Sequence, residues 1–114
     1  MGLHRVAEKI GDGAAVGAVF LGRKPTGEVV LPGSADPGSD AITTRILWLE
    51  GLEQGLNAGG TVDTRSRYIY IHGTPHEGQI GSPASRGCVR MRNADVIELF
   101  ERTPTGTHVL ILAD

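Results

Sequence analysis

Short runs of aliphatic, β-branched and aromatic residues, each stopped by turn-forming residues, dominate the pattern along the chain. Arg5 to Ile10 is the first such run, ended by Gly11-Asp12-Gly13. Val16 to Leu21 is the second, followed by a glycine- and proline-rich stretch from Gly22 to Gly38. Ile42 to Leu49 mixes Thr, Ile, Leu and Trp in partial alternation. Arg67 to His72 carries aromatic or β-branched residues at nearly every position, which makes it the clearest strand. His108 to Leu112 closes the series. Each run predicts a strand. One helix is predicted after them: Asn93 can cap it, Asp95 suits the dipole in its first turn, and Val96, Leu99 and Phe100 share a face. It must stop before Pro104, where Thr103-Pro104-Thr105-Gly106 reads as a type I turn. Gly33 to Asp40 reads as a surface loop, and Gly59-Gly60 as a turn. The pattern predicts a mainly antiparallel β protein with one helix near its end.

Composition narrows this picture. The 114 residues fit one domain, 1–114. Leu, Ile, Val and Phe make up about a quarter of the chain, above the ~20% below which disorder is expected. With two Phe, two Tyr and one Trp, the core must be aliphatic. Seventeen glycines without a G-X-Y period point to a turn-rich fold and exclude collagen. No apolar run approaches the ~18 residues of a membrane-spanning helix. A net charge of −2 argues against a nucleic-acid partner held by bulk electrostatics. The start, Met1-Gly2-Leu3-His4-Arg5-Val6, predicts no secretory signal in this chain.

The single cysteine, Cys88, rules out an internal disulfide and a multi-cysteine zinc site. It is either an inert thiol or a nucleophile. Arg86, Arg90 and Arg92 lie within four positions of it, and positive surroundings favour the nucleophilic thiolate. Gly87 permits a tight turn, after which the Gly87 and Cys88 amides could face a developing oxyanion. His72 ends the clearest strand and opens into Gly73-Thr74, a rigid platform with an exposed tip. It is either a strand-end histidine with a structural task or the base of a Cys–His pair, the minimum for thiol acyl transfer. His72 and His76 have the spacing of two metal ligands on a helix, but Gly73 and Pro75 interrupt the segment, so a wet loop is the better reading. His4 and His108 lie in strand-like contexts without a functional signal.

The segments Tyr68-Ile69-Tyr70-Ile71-His72-Gly73-Thr74, Ile80-Gly81, Pro83-Ala84-Ser85 and Gly87-Cys88-Val89-Arg90-Met91 resemble the YkuD-type L,D-transpeptidase catalytic domain. Thr44-Arg45-Ile46-Leu47-Trp48-Leu49-Glu50-Gly51 is also similar to its compact bacterial members. The resemblance implies an antiparallel β-sandwich with one short helix after the cysteine loop. It implies Cys88 as nucleophile and His72 as base, with the imidazole oriented through the Gly73 carbonyl. Ser85 and Gly87 would shape the site, and Arg90 and Arg86 would meet anionic substrate groups. The implied substrates are peptidoglycan stem peptides in the cell envelope or periplasm, without metal or organic cofactor.

Two departures accompany the resemblance. The family motif has His where this chain has Arg86, and arginine cannot accept a proton. The family also usually places strands and a Thr-Pro-x-Gly turn ahead of the segment that begins here at Gly2-Leu3-His4-Arg5, so the chain reads as an N-terminally truncated domain with an unpaired sheet edge. Three activities stay open: transfer to an amine, hydrolysis as a thiol L,D-carboxypeptidase, and non-catalytic binding of peptidoglycan.

Overall fold

The computed structural model describes residues 2–31, 33, 41–80 and 88–112. Among them the chain forms seven strands and one α-helix: β1 (Gly2–Ile10), β2 (Ala18–Leu21), β3 (Lys24–Val29), β4 (Ile42–Gly51), β5 (Tyr70–Gly73), β6 (Val89–Met91), α1 (Asn93–Arg102) and β7 (His108–Ile111). All strand pairs are antiparallel except β5 with β6. The expected class, mainly antiparallel β with one helix, is the observed one.

The long strand β4 organises the sheet. Ile46 and Leu47 pair with both β1 and β5, so those strands occupy opposite edges of β4. Thr43 pairs with both β2 and β5, which puts β2 on the same edge as β1, further along. β7 adds to the free side of β1, so β1 lies inside the sheet. β3 adds to β2 and β6 to β5.

Alternation along β4 divides the core between two faces. Leu47 and Leu49 point to one face, where they meet Val6, Ile71 and the helix residues Val96 and Phe100. Ile46 and Trp48 point to the other, with Phe20, Tyr70 and Cys88. Leu47, Leu49, Val6 and Val96 are fully buried, each contributing about 1.5–3 kcal/mol of transfer free energy. The helix buttresses one face and leaves the other for the candidate site.

Several expectations need correction. The Gly22–Gly38 stretch contains β3, whose residues are all exposed and therefore show no alternation. Its entry is a two-residue hairpin: Leu21 pairs with Lys24, and Gly22 and Arg23 both have positive φ (57° and 67°), as a type I′ turn requires. Pro25 is tolerated because β3 is an edge strand. The strand expected at Arg67 begins at Tyr70, because residues 64–68 turn first. The turn after the helix is shifted by one residue: the Thr107 backbone N donates to the Pro104 carbonyl at 3.1 Å and Gly106 has φ 94°. That is the third position of a type II turn, which needs positive φ. Only Gly33 of the expected Gly33–Asp40 loop is among the described residues.

The helix runs as expected, but Asn93 does not cap it. Arg92 holds the cap position without a side-chain bond, and Asn93 is the first helical residue. Glu77 instead serves the helix N-terminus, its Oε2 accepting from the Asn93 backbone N and Nδ2, both at 2.8 Å, where a negative charge suits the dipole. Asn93 Oδ1 accepts from the Thr43 hydroxyl at 2.8 Å and from the Thr44 hydroxyl. Asn93 Nδ2 also donates to the Thr74 carbonyl at 3.0 Å. One buried amide thus ties β4, the end of β5 and the start of α1 together.

Replacing Asn93 by Ala leaves those buried threonine and carbonyl partners unpaired, and we expect a loss of about 2–4 kcal/mol in urea denaturation. Arg102→Ala removes only the exposed pair with Glu98 and is expected to cost less than about 0.5 kcal/mol. Equal effects would contradict this ordering.

Candidate active site

The parallel pairing of β5 with β6 brings the two sequence-predicted groups to adjoining strands. Ile71 is opposite Val89, His72 opposite Arg90 and Gly73 opposite Met91, so continuing the register by one residue places Cys88 beside Tyr70. The contacts agree: the Tyr70 backbone N lies 3.4 Å from Cys88 Sγ, and Sγ lies 3.4 Å from the Tyr68 carbonyl oxygen. Side chains two residues apart share a face, so His72 stands on the same side as Tyr70, one diagonal step from Cys88. Such diagonal neighbours are roughly 7–8 Å apart at the backbone, within reach of a thiol and an imidazole. β6, only three residues long and centred on an arginine, was not expected as a strand. It is the element that sets this register.

His72 is buried, and its Nδ1 lies 2.6 Å from the Gly73 carbonyl oxygen. A carbonyl only accepts, so Nδ1 carries the hydrogen and the neutral ring keeps its lone pair on Nε2. The residue that carries this carbonyl is tightly enclosed. A methyl group at Gly73 would come within 2.6 Å of both the Thr43 carbonyl oxygen and Asn93 Oδ1. Glycine is needed there because β4 and the Asn93 amide press against β5.

The same contact region contains backbone strain. Thr44 is β-branched yet has φ 74°, a conformation that costs on the order of 1–3 kcal/mol. The pairing of β4 with β5 is irregular at this point, between Thr43 and Ile46. The Thr44 hydroxyl offsets the cost by accepting from the Gly17 backbone N at 2.9 Å while donating to Asn93. The strained residue therefore serves the hub that positions Gly73.

Cys88 is partly exposed and packs at the edge of the Phe20, Ile46 and Tyr70 cluster. Arg90 follows two residues along the same strand, opposite His72, and its buried Nη2 has no hydrogen-bond partner among the described residues. Ser85, Arg86 and Gly87, expected to shape the site and its oxyanion pocket, lie outside the described residues. His76 follows the strand, its backbone N donating to the Thr74 hydroxyl at 3.1 Å. Among the described residues no cluster of three His, Cys, Asp or Glu side chains converges as metal ligands would. His4 has a structural place: it is buried, with Nδ1 2.9 Å from the Gly2 carbonyl oxygen and Nε2 3.0 Å from the Thr64 hydroxyl.

Sequence reasoning missed an aromatic wall beside the thiol. Trp48 lies 5.9 Å from the Tyr68 ring and 5.8 Å, edge-on, from the Tyr70 ring. The Arg65 guanidinium lies 4.7 Å from the Trp48 ring centre and is paired with Glu8. Trp48 Nε1 donates to the Arg65 carbonyl at 3.1 Å. These residues come from three separate segments, and no spacing in the chain announces that they meet. The turn that supplies Arg65 and Tyr68 is braced by Asp63, whose carboxylate accepts from the Gly59 N at 2.7 Å and the Ser66 N at 2.9 Å. Those backbone bonds, Gly59 first, hold the Asp63 carboxyl below its ordinary range.

The family model of the L,D-transpeptidase catalytic domain, YkuD, matches residues 1–111. Three curated relatives carry names that place them among the L,D-transpeptidases. YqjB of Bacillus subtilis strain 168 is 45% identical over 60 residues, covering 53% of this chain and 32% of its own length. YkuD of the same strain is 54% identical over 41 residues, 36% of this chain and 25% of its own length. YbiS of Escherichia coli K12 is 51% identical over 43 residues, 38% of this chain and 14% of its own length. The chain thus spans a third or less of the relatives it matches. No solved structure gives a significant match.

Two outcomes follow from the geometry. Alkylation of Cys88 by iodoacetamide at neutral pH should slow in His72→Ala toward the rate of a free cysteine, which is about a few per cent thiolate near pH 7. Gly73→Ala, which displaces the orienting carbonyl, should move the rate the same way, and unchanged rates in both would contradict the pairing. For Asp63, a carboxyl held low in the folded chain adds stability above the ordinary carboxylate range and loses it as pH falls through the folded value. Asp63→Asn should therefore lower the urea midpoint at neutral pH but not in strong acid. An equal loss at both pH values would contradict this.

Proposed function

The chain belongs to the YkuD family of L,D-transpeptidase catalytic domains, and on that footing we propose that it is a cysteine acyltransferase acting on peptidoglycan stem peptides. The observation that supports this reading most is the pairing of β5 with β6, which sets Cys88 one diagonal step from a histidine whose Nδ1 is held by the Gly73 carbonyl.

In the proposed reaction the Cys88 thiol gives its proton to His72 Nε2, and the sulfur attacks the carbonyl of the third stem residue. A tetrahedral oxyanion forms, and amides near Gly87 and Cys88 are the proposed donors to it. The C–N bond to the terminal D-alanine then breaks, and the imidazolium returns its proton to the departing amine. A thioester on Cys88 remains. An acceptor amine attacks the thioester, passes a proton to Nε2 and displaces the sulfur, which recovers that proton. Protons and electron pairs balance over the cycle, and no step calls for a metal or organic cofactor.

Arg90, whose buried Nη2 has no partner among the described residues, is the proposed contact for an anionic substrate group. Arg86 in place of the family's histidine would support the thiolate by charge alone. Catalysis would take place at the cell wall, in the envelope or periplasm. No helix among the described residues is long and apolar enough to cross a membrane.

The test is incubation with a disaccharide-tetrapeptide muropeptide, read by mass spectrometry. We expect a covalent adduct on Cys88, loss of one D-alanine and a cross-linked dimer, with none of these in Cys88→Ala. His72→Ala should slow acylation by about 10²–10⁴-fold. Release of free tripeptide without dimer would identify a carboxypeptidase. Binding without any adduct would leave a non-catalytic domain and overturn the proposal.

A further inference from the structure

Arg23 occupies an unusual position for its residue type. It is the second residue of the β2–β3 hairpin turn, with φ 67°, a conformation that suits glycine and strains an arginine. That turn points its side chain across the sheet. The guanidinium lies 4.7 Å from the Trp48 ring centre and 5.0 Å from the Tyr68 ring centre. Its Nη1 donates to the Tyr70 hydroxyl at 3.1 Å. Tyr68 also has positive φ, 56°, so both partners of this contact hold a conformation that side chains usually avoid.

The two tyrosines connect Arg23 to the thiol. The Tyr70 backbone N and the Tyr68 carbonyl oxygen both touch Cys88 Sγ at 3.4 Å. The far end of the Tyr70 side chain touches Arg23. The guanidinium therefore lies about one tyrosine side chain away from the nucleophile. Arg65 stacks on the same tryptophan and pairs directly with Glu8, whose charge reaches Arg23 only as a weaker, more distant attraction. Among the described residues Arg23 makes no ion pair, and one of its five N–H groups is engaged by Tyr70.

We propose that Arg23 is a specificity-determining residue that binds the free α-carboxylate of the residue displaced from the thioester carbonyl. This rests on the acyl-transfer reading and names what its site selects. The carboxylate of a C-terminal residue lies two bonds beyond the scissile nitrogen, so a donor whose carbonyl meets Sγ keeps its charge close to the thiol, and Arg23 is the cation that Tyr70 links to that thiol. A planar guanidinium backed by an aromatic ring offers two parallel N–H groups to a carboxylate. A peptide continuing beyond that residue has no charge at this place. The arrangement would restrict the enzyme to removing a terminal residue.

Trp48 is the chain's one tryptophan, so its emission reports directly on the stacked guanidinium. The test titrates the Cys88→Ala protein, which cannot be acylated, with N-acetyl-L-lysyl-D-alanine and with its C-terminal amide. We expect the acid to bind roughly tenfold more tightly than the amide, as for a charge-assisted hydrogen bond. Adding Arg23→Gly, which suits the φ of the turn and so preserves the hairpin, should bring the acid down to the amide's affinity and leave the amide unchanged. Arg23→Lys should retain part of the preference. Equal binding of acid and amide before Arg23 is changed, a preference that survives Arg23→Gly, or no emission response to the acid would overturn the assignment. The unmutated protein separates this from the underlying reading. If it binds the acid through Arg23 but forms no thioester, acyl transfer fails and the carboxylate site stands. If it is acylated equally by acid and amide, the carboxylate site fails alone.

Discussion

The close approach of the β4 backbone and the Asn93 side-chain amide to Gly73 is the constraint on which the candidate site depends. β5 passes so near Thr43 and Asn93 that no side chain fits at Gly73, the residue whose carbonyl meets the His72 ring. That carbonyl fixes the His72 ring and leaves Nε2 as the basic nitrogen. The approach is sustained by Asn93, which satisfies two threonine hydroxyls of β4 and the Thr74 carbonyl while Glu77 anchors its own backbone. A strained Thr44 is retained because its hydroxyl completes that network.

The sheet separates support from the candidate site. One face is sealed by the helix through Val96 and Phe100, and the other carries Cys88, His72 and the aromatic wall. β4 serves both, with Leu47 and Leu49 facing the helix and Ile46 and Trp48 facing the site. Tyr70 links the two functional features on that face, since its backbone meets the thiol and its hydroxyl meets Arg23.

The features that sequence reasoning found are those with a local signature. The strand that carries His72, the helix from Asn93 and the arginine-rich surroundings of Cys88 each depend on neighbours within a few residues. What it missed depends on partners far along the chain. β3 lacks alternation because every residue in it faces solvent, and β6 is too short to show any. Asn93 matched an N-cap pattern, yet Glu77 offered a better group for the helix end and released the amide for its threonine partners. Arg23 read as part of a loop, since its meaning comes from Trp48 and Tyr68, which lie 25 and 45 positions away in the sequence.

The His72 ring bonds Gly73 through Nδ1 and is proposed to present Nε2 to Cys88. Nitrogen-15 NMR of the labelled imidazole tests it most directly. We expect a protonated Nδ1 in the neutral ring and an Nε2 resonance that moves when Cys88 is alkylated. A neutral ring protonated on Nε2, or an Nε2 signal indifferent to the state of the thiol, would contradict it.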